Sequence, residues 1–270
     1  MSELIHCITN PISMMQCANA VLALGLKPIM AEHPMEVKEI TNSASALLIN
    51  LGNISDSRME AMRISYEAAL FKGLPVVLDA VGVACSELRR NFALELIEKR
   101  DFLLIKGNNS EIKALADGCY RGKGVDADTN LSEKEMIEIS RELAEKLNVI
   151  VLCSGEKDIV TDGKTTALIS NGTPKMGDIT GTGCMLGAIC AGFLAKEKTI
   201  YSIIKACAFF GIAGEMAEKR ISGMEDNKEI CFGKAVKNSI GSGSFLIGLL
   251  DAISLINDET IEKYKKVEYI

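Results

Sequence analysis

Tryptophan is absent from this 270-residue chain, and all aromatic residues together make up only 5%. A core built without them has to be aliphatic, with methionine filling its irregular gaps. No stripe of basic residues runs along the sequence. Thirty Lys and Arg stand against thirty-six Asp and Glu, for a net charge of −6, which gives a polyanion such as nucleic acid no footing. A small phosphorylated ligand needs only local positive charge, and this balance permits that. There is no Cys-x-x-Cys pair. The nine cysteines, at 7, 17, 85, 119, 153, 184, 190, 207 and 231, are odd in number and widely spaced, which argues against a disulfide framework and against a zinc site. They are expected to be reduced, buried, small hydrophobes of a cytoplasmic protein. Met1–Asn10 carries charge early and lacks the apolar heart of a signal peptide. No apolar run approaches the ~18 residues that suggest a membrane span, so no membrane partner is expected.

What is present is an ordinary globular composition, 48% hydrophobic and 24% charged, long enough for a sizeable core. Short Val/Ile/Leu-rich runs alternate with helical patterns. Strands are expected at Lys27–Ala31, Ala46–Leu51, Pro75–Asp79, Phe102–Lys106, Val149–Cys153, Ile159–Thr161 and Ala167–Ser170. Helices are expected at Met14–Leu24, Met35–Ser45, Ser57–Lys72, Glu87–Arg100, Glu111–Asp117, Ser132–Leu147, Cys184–Lys196, Ile200–Arg220 and Ser242–Ile256. The strand runs scarcely alternate, as when both faces of a sheet are covered. The pattern predicts an α/β fold with a doubly wound, mainly parallel sheet flanked by helices. Asp162-Gly163 suits a hairpin turn between the last two strands. No linker, low-complexity tract or internal repeat divides the chain, so residues 1–270 are read as one domain.

The most pointed segment is Gly177-Asp178-Ile179-Thr180-Gly181-Thr182-Gly183-Cys184-Met185-Leu186-Gly187-Ala188. A glycine- and threonine-rich loop runs straight into a helical pattern. The start of such a helix presents free N–H groups and a positive dipole end to one point, which suits a phosphate. In open α/β sheets ligands gather beyond the carboxyl ends of the strands. Polar residues stand there: Asp79 ends Val76-Val77-Leu78-Asp79, Lys106 to Glu111 follow Phe102–Ile105, and Ser154 to Asp158 follow Val149–Cys153.

These residues can supply what phosphoryl transfer requires. Thr180–Cys184 forms the anion cradle. Asp79 and Glu111 are hard oxygen ligands suited to Mg²⁺, partly through water. Lys106 offers a point charge to a phosphate oxygen, and Cys184 stands where a group acting on the acceptor hydroxyl belongs. Taken singly, each has a structural reading as well. The glycine loop could be a tight strand-to-helix turn, Asp79 a turn cap, Glu111 a first-turn helix acid, Lys106 a solvated lysine and Cys184 a packed small residue. The functional reading rests on their coincidence at strand ends and helix starts.

Colinear segments strengthen it. Cys7-Ile8-Thr9-Asn10, Ala18-Asn19-Ala20-Val21-Leu22-Ala23-Leu24-Gly25, Pro28-Ile29-Met30-Ala31, Leu48-Ile49-Asn50-Leu51-Gly52, Val77-Leu78-Asp79-Ala80-Val81-Gly82, Gly107-Asn108-Asn109-Ser110-Glu111 and Thr180-Gly181-Thr182-Gly183-Cys184 resemble, in order, the hydroxyethylthiazole kinases. Gly241-Ser242-Gly243-Ser244-Phe245 resembles a later segment of that family. The wider ribokinase-like group usually has Asp where this chain has Cys184. The resemblance implies a ribokinase-like fold. It implies ATP-dependent, Mg²⁺-assisted phosphorylation of the hydroxyl of 4-methyl-5-(2-hydroxyethyl)thiazole in thiamine salvage, by a homotrimer. By motif, Cys184 would be catalytic and Asp79 and Glu111 would serve the magnesium. Lys106, Ser154, Thr180 and Gly183 would meet ATP, while Met30, Gly181 and Asn10 would meet the thiazole. The chain departs from the family's usual Arg at 106, Thr at 154 and Pro after Asp79, and it carries Pro11 in the substrate segment. Two rival readings are an NAD(P)H-hydrate dehydratase on the same fold, which would keep Asp at 184, and a thiazole- or nucleotide-binding protein without turnover.

Overall fold

A computed structural model describes residues 2–99, 102–118, 120, 131–224 and 241–270. Its strands are β1 (Leu4–Ile8), β2 (Lys27–Ile29), β3 (Ala46–Asn50), β4 (Val76–Asp79), β5 (Leu104–Asn108), β6 (Ile150–Ser154), β7 (Asp158–Thr161), β8 (Thr166–Ile169) and β9 (Val267–Tyr269). They form one sheet in the order β2-β1-β3-β4-β5-β6-β7-β8-β9. Neighbours are parallel from β2 through β6 and antiparallel from β6 to β9. The expected strands are all present, each within two residues of its predicted ends. Asp162 and Gly163 lie in the β7–β8 turn, where Asp162 Oδ1 accepts from the Lys164 and Thr165 amides.

The helices are α1 (Met14–Ala23), α2 (Val37–Ser43), α3 (Asp56–Lys72), α4 (Glu87–Glu98), α5 (Asn109–Ala116), α6 (Glu133–Leu147), α7 (Thr182–Lys196), α8 (Ile200–Met224), α9 (Ser242–Leu255) and α10 (Asp258–Tyr264). Arg100, the expected end of α4, lies outside the described residues, as do Cys119 and Cys231. The other seven cysteines are free thiols, six of them wholly or partly buried.

Side-chain alternation sorts the core into two halves. Ile5, Cys7, Leu48, Val77, Leu104 and Leu152 point to the side covered by α1, α7, α8 and α9. Ile8, Leu47, Ile49, Leu78, Ile105 and Val151 point to the side covered by α3 to α6. Each fully buried aliphatic side chain contributes roughly 1.5–3 kcal/mol. Ile200–Lys219 within α8 is long and apolar enough to cross a membrane by length and composition. That corrects the expectation that no run approaches this length, which Lys205 and Glu215 had obscured in the linear sequence. The stretch is 78% buried within the fold, so its apolar residues serve the core.

Five of the helix starts are closed by side chains. Ser55, Ser86, Ser132 and Asn257 accept from the backbone amides of Arg58, Arg89, Glu135 and Thr260. Asn108 and Glu111 form a full capping box on α5,. The starts of α1, α2 and α9 have no such cap, and neither has the long helix α7. Its N-cap is Gly181, in the left-handed region at φ 94°.

Candidate active site

Parity places the polar strand ends. Asn50, Asp79 and Lys106 are two residues beyond Leu48, Val77 and Leu104 and share their face, the one covered by α7,. Asn50 lies opposite Asp79 in the register, and Asp79 lies opposite Lys106. Three neighbouring strands thus set three polar side chains side by side beneath one helix start, Asn50 and Asp79 at the ends of β3 and β4 and Lys106 within β5.

Asp79 is fully buried, and both of its oxygens are engaged. Oδ1 accepts from Lys106 Nζ at 2.9 Å and Oδ2 from Asn50 Nδ2 at 2.9 Å. Burial pushes this carboxyl above its usual range, against the pull of Lys106 and Asn50. Lys106 is only 4% exposed. Burial opposes its charge, yet the Asp79 carboxylate, with Cys184 and Glu111 nearby, holds its ammonium above the ordinary range. The geometry describes a buried ammonium–carboxylate pair. It also sits at the cradle, because a β-carbon built on Gly183 would stand 3.9 Å from Lys106 Nζ. One built on Gly187 would stand 3.2 Å from Asp79 Oδ2, so glycine there lets α7 lie directly against the carboxylate.

Glu111 fastens two loops. Its Oε1 accepts from the Gly82 amide at 2.7 Å, after β4, and its Oε2 from the Asn108 amide at 2.8 Å, after β5. Burial raises it to about 7, against the two amides that favour its charge. Each oxygen of Asp79 and Glu111 retains a second lone pair. Among the described residues no three His, Cys, Asp or Glu cluster as a metal cage. Two carboxylates are hard oxygen donors, a set compatible with Mg²⁺ held partly through water and substrate phosphates.

Cys184 lies in the first turn of α7, half-buried, with Thr180 and Gly183 exposed beside it. Its Sγ accepts from Asn10 Nδ2 at 3.4 Å. The other hydrogen of that amide goes to Asn50 Oδ1 at 3.1 Å, and Asn10 Oδ1 accepts from the Ser13 amide at 3.0 Å. Asn10, expected at the substrate, thus spends both amide hydrogens on protein and keeps one carbonyl lone pair. Gly181 lies against the start of α1, where an added β-carbon would meet Ser13 Cβ at 2.9 Å. Met30 follows β2, half-buried against the core beside β1. Ser154 ends β6 opposite Asn108, its hydroxyl donating to Gly107 O at 3.3 Å. Next to it Asp158 accepts from the Gly155 amide and closes the β6–β7 turn.

The structure therefore gathers Asn10, Asp79, Lys106, Glu111 and Cys184 on one rim with the Thr180–Gly183 loop. Sequence reasoning gave Asn50 no role, though it holds the same strand-end position as Asp79. Two departures acquire local reasons. Ala80 N–H bonds Lys106 O at 2.8 Å, a bond that proline there could not make. Pro11 follows Asn10 in a turn closed by Ser13 N–H to Asn10 O at 3.2 Å, a place that suits its fixed φ.

Comparison with known proteins shows what the chain is similar to. The chain is 41% identical to a hydroxyethylthiazole kinase of Clostridium perfringens, over 99% of this chain and 97% of that one. It is 40% identical to hydroxyethylthiazole kinase 2 of Clostridium botulinum, over 96% and 93%. A solved structure of the hydroxyethylthiazole kinase protein from Pyrococcus horikoshii OT3 matches with TM-score 0.83 and 32% identity, over 99% and 94%. An ADP complex of Bacillus subtilis pyridoxal kinase, 17% identical over 80% and 92% with TM-score 0.61, shares the fold. The model of the hydroxyethylthiazole kinase family matches residues 1–259, and the chain belongs to that family.

Proposed function

We propose that this chain transfers the γ-phosphoryl group of ATP to the hydroxyl of 4-methyl-5-(2-hydroxyethyl)thiazole, a salvage step toward thiamine phosphate. The observation that carries the reading is the uncapped start of α7 set directly over the buried Lys106–Asp79 pair. The amides at 180–184 receive the oxygens of the transferring group. Lys106 adds positive charge beneath them, and Ser154 and Thr180 border the path of the nucleotide. Asp79 and Glu111 would hold Mg²⁺, which, when bound, neutralises charge building on the phosphates. Cys184 orients the alcohol or accepts its proton. Because the transition state is loose, positioning matters more than the strength of the base. Met30, Gly181 and the remaining carbonyl lone pair of Asn10 form the thiazole end.

The proposal takes residues 1–270 as one ribokinase-like domain in a cytoplasmic homotrimer. The free thiols support the compartment,. Exposed Ile12, Met15 and Met35, on the segments after β1 and β2 at the thiazole end, support an association that covers them. Sedimentation of the purified chain tests the trimer. ADP release with and without the thiazole alcohol tests the reaction. Release that ignores the alcohol overturns it. Cys184 argues against the dehydratase alternative, which would carry Asp there.

A further inference from the structure

Both amides between Cys184 and Asp79 have their orientation fixed by the backbone. The Gly52 N–H donates to Asn50 Oδ1 at 2.9 Å, which turns Nδ2 of Asn50 toward Asp79. The Ser13 N–H donates to Asn10 Oδ1, which turns Nδ2 of Asn10 toward Asn50 Oδ1 and Cys184 Sγ. Asn50 is fully buried and Asn10 nearly so. A flipped amide at either position would set donor against donor among buried groups, which is unfavourable. The chain Cys184–Asn10–Asn50–Asp79–Lys106 therefore has one hydrogen-bond arrangement, with donors diverging from Asn10 to Cys184 and Asn50 and converging on Asp79 from Asn50 and Lys106, and it spans four neighbouring strands.

We propose that Asn50 is a positioning residue for the transfer: it holds the Asn10 amide so that one N–H fixes the Cys184 sulphur, and it ties that sulphur to the carboxylate beneath the phosphate cradle. The inference deepens the kinase reading and rests on it for its meaning, though not for its test. Asn50 reaches no substrate. Its effect passes to Cys184 through Asn10, and this relation separates it from a residue that merely fills space.

The test is a double-mutant cycle with Asn50→Leu, Asn10→Ala and the pair, each checked by thermal melting; Asn50→Ser replaces Asn50→Leu if the leucine variant does not fold. Two readouts are taken. The first is the rate at which iodoacetamide alkylates Cys184 in the free protein, followed by peptide mass spectrometry so that exposed Cys85 does not interfere. Asn50→Leu and Asn10→Ala each shift this rate at least threefold in the same direction, and the double variant shifts it no further than Asn10→Ala. The second is kinase turnover: kcat falls at least tenfold in each single variant with KM for ATP within threefold of wild type, and the double variant matches Asn10→Ala within twofold. A wild-type alkylation rate in Asn50→Leu, or effects that multiply in the double variant, overturns the proposal. If the wild-type protein fails to phosphorylate the thiazole alcohol, the kinase reading falls, while the alkylation cycle still decides the role of Asn50.

Discussion

Lys106 Nζ and Asp79 Oδ1 meet at 2.9 Å between directly opposed positions of neighbouring parallel strands, at 4% and 0% side-chain exposure. Removing one partner leaves the other charge buried and unmatched, which typically costs 3–5 kcal/mol. Lys106→Met is expected to lower unfolding free energy by about that much, read as a shift of the urea midpoint at unchanged slope. It also removes the positive charge beneath the cradle, so turnover should fall at least 100-fold. A midpoint within experimental error of wild type would mean the pair is not formed in solution.

The left-handed Gly181 carries a second prediction. Alanine there meets both an unfavourable φ and Ser13 Cβ at 2.9 Å. Gly73, at φ 66°, faces open space, so alanine there meets backbone strain alone. Gly73→Ala should cost about 1–2 kcal/mol and leave kcat unchanged. Gly181→Ala should cost about 1–3 kcal/mol more, from overpacking, and should depress kcat because the first amides of α7 move with it. Equal melting temperatures for the two variants would refute the close approach of α1 and α7.

Cys184→Ala should retain measurable turnover. A positioned base typically contributes 10²–10⁴-fold, and a loose phosphoryl transfer draws on the low end of that range. A drop in kcat of about 10- to 100-fold is expected, with KM for ATP little changed. Steady-state kinetics on the purified variant decide the point, and wild-type kcat would remove Cys184 from the reaction.

Glu111 predicts a pH dependence. Its folded value, about 7, lies above the ordinary glutamate value of 4.5. The folded state therefore holds this proton more tightly than the unfolded chain does. Its contribution to stability is fully present below about pH 4.5 and is lost as pH rises through about 7. Magnesium requires the deprotonated carboxylate. Its apparent affinity in the presence of ADP should therefore climb from pH 6 to pH 8 and level off above, as titrations at fixed ionic strength would register. An affinity flat across that interval would place the ion elsewhere.

Much of this was legible before the fold was known. The parallel strands are unbroken Val/Ile/Leu runs because helices cover both faces, and Asp79, Lys106 and Glu111 stood out as polar residues where such runs stop. Strand β1 was harder to see. His6 and Cys7 interrupt its apolar character, yet both are fully buried, His6 because its ring nitrogens bond Thr41 Oγ1 and Ala31 O at 2.9 Å each. Strand β9 is three residues long with two of them exposed, and α10 is a seven-residue helix with one buried residue. Neither leaves a periodic signal. Asn50 was invisible for a different reason. An asparagine at a strand end has no meaning until the register sets it between Asn10 and Asp79. The sequence marks Glu111 as a candidate metal ligand, while its hold on Gly82 depends on where the loop after β4 returns.

Asn10, Asn50, Asp79 and Lys106 come from or directly follow four different strands, β1, β3, β4 and β5, and no two of these strands are joined by a short hairpin. A slip of one residue in any of them would turn its polar tip to the opposite side of the sheet. Partly assembled chains therefore lack this polar rim altogether rather than holding a weakened version of it. Enzymatic recovery after dilution from denaturant should trail the return of helical signal, and each unit regained counts only molecules whose central strands have all found their alignment.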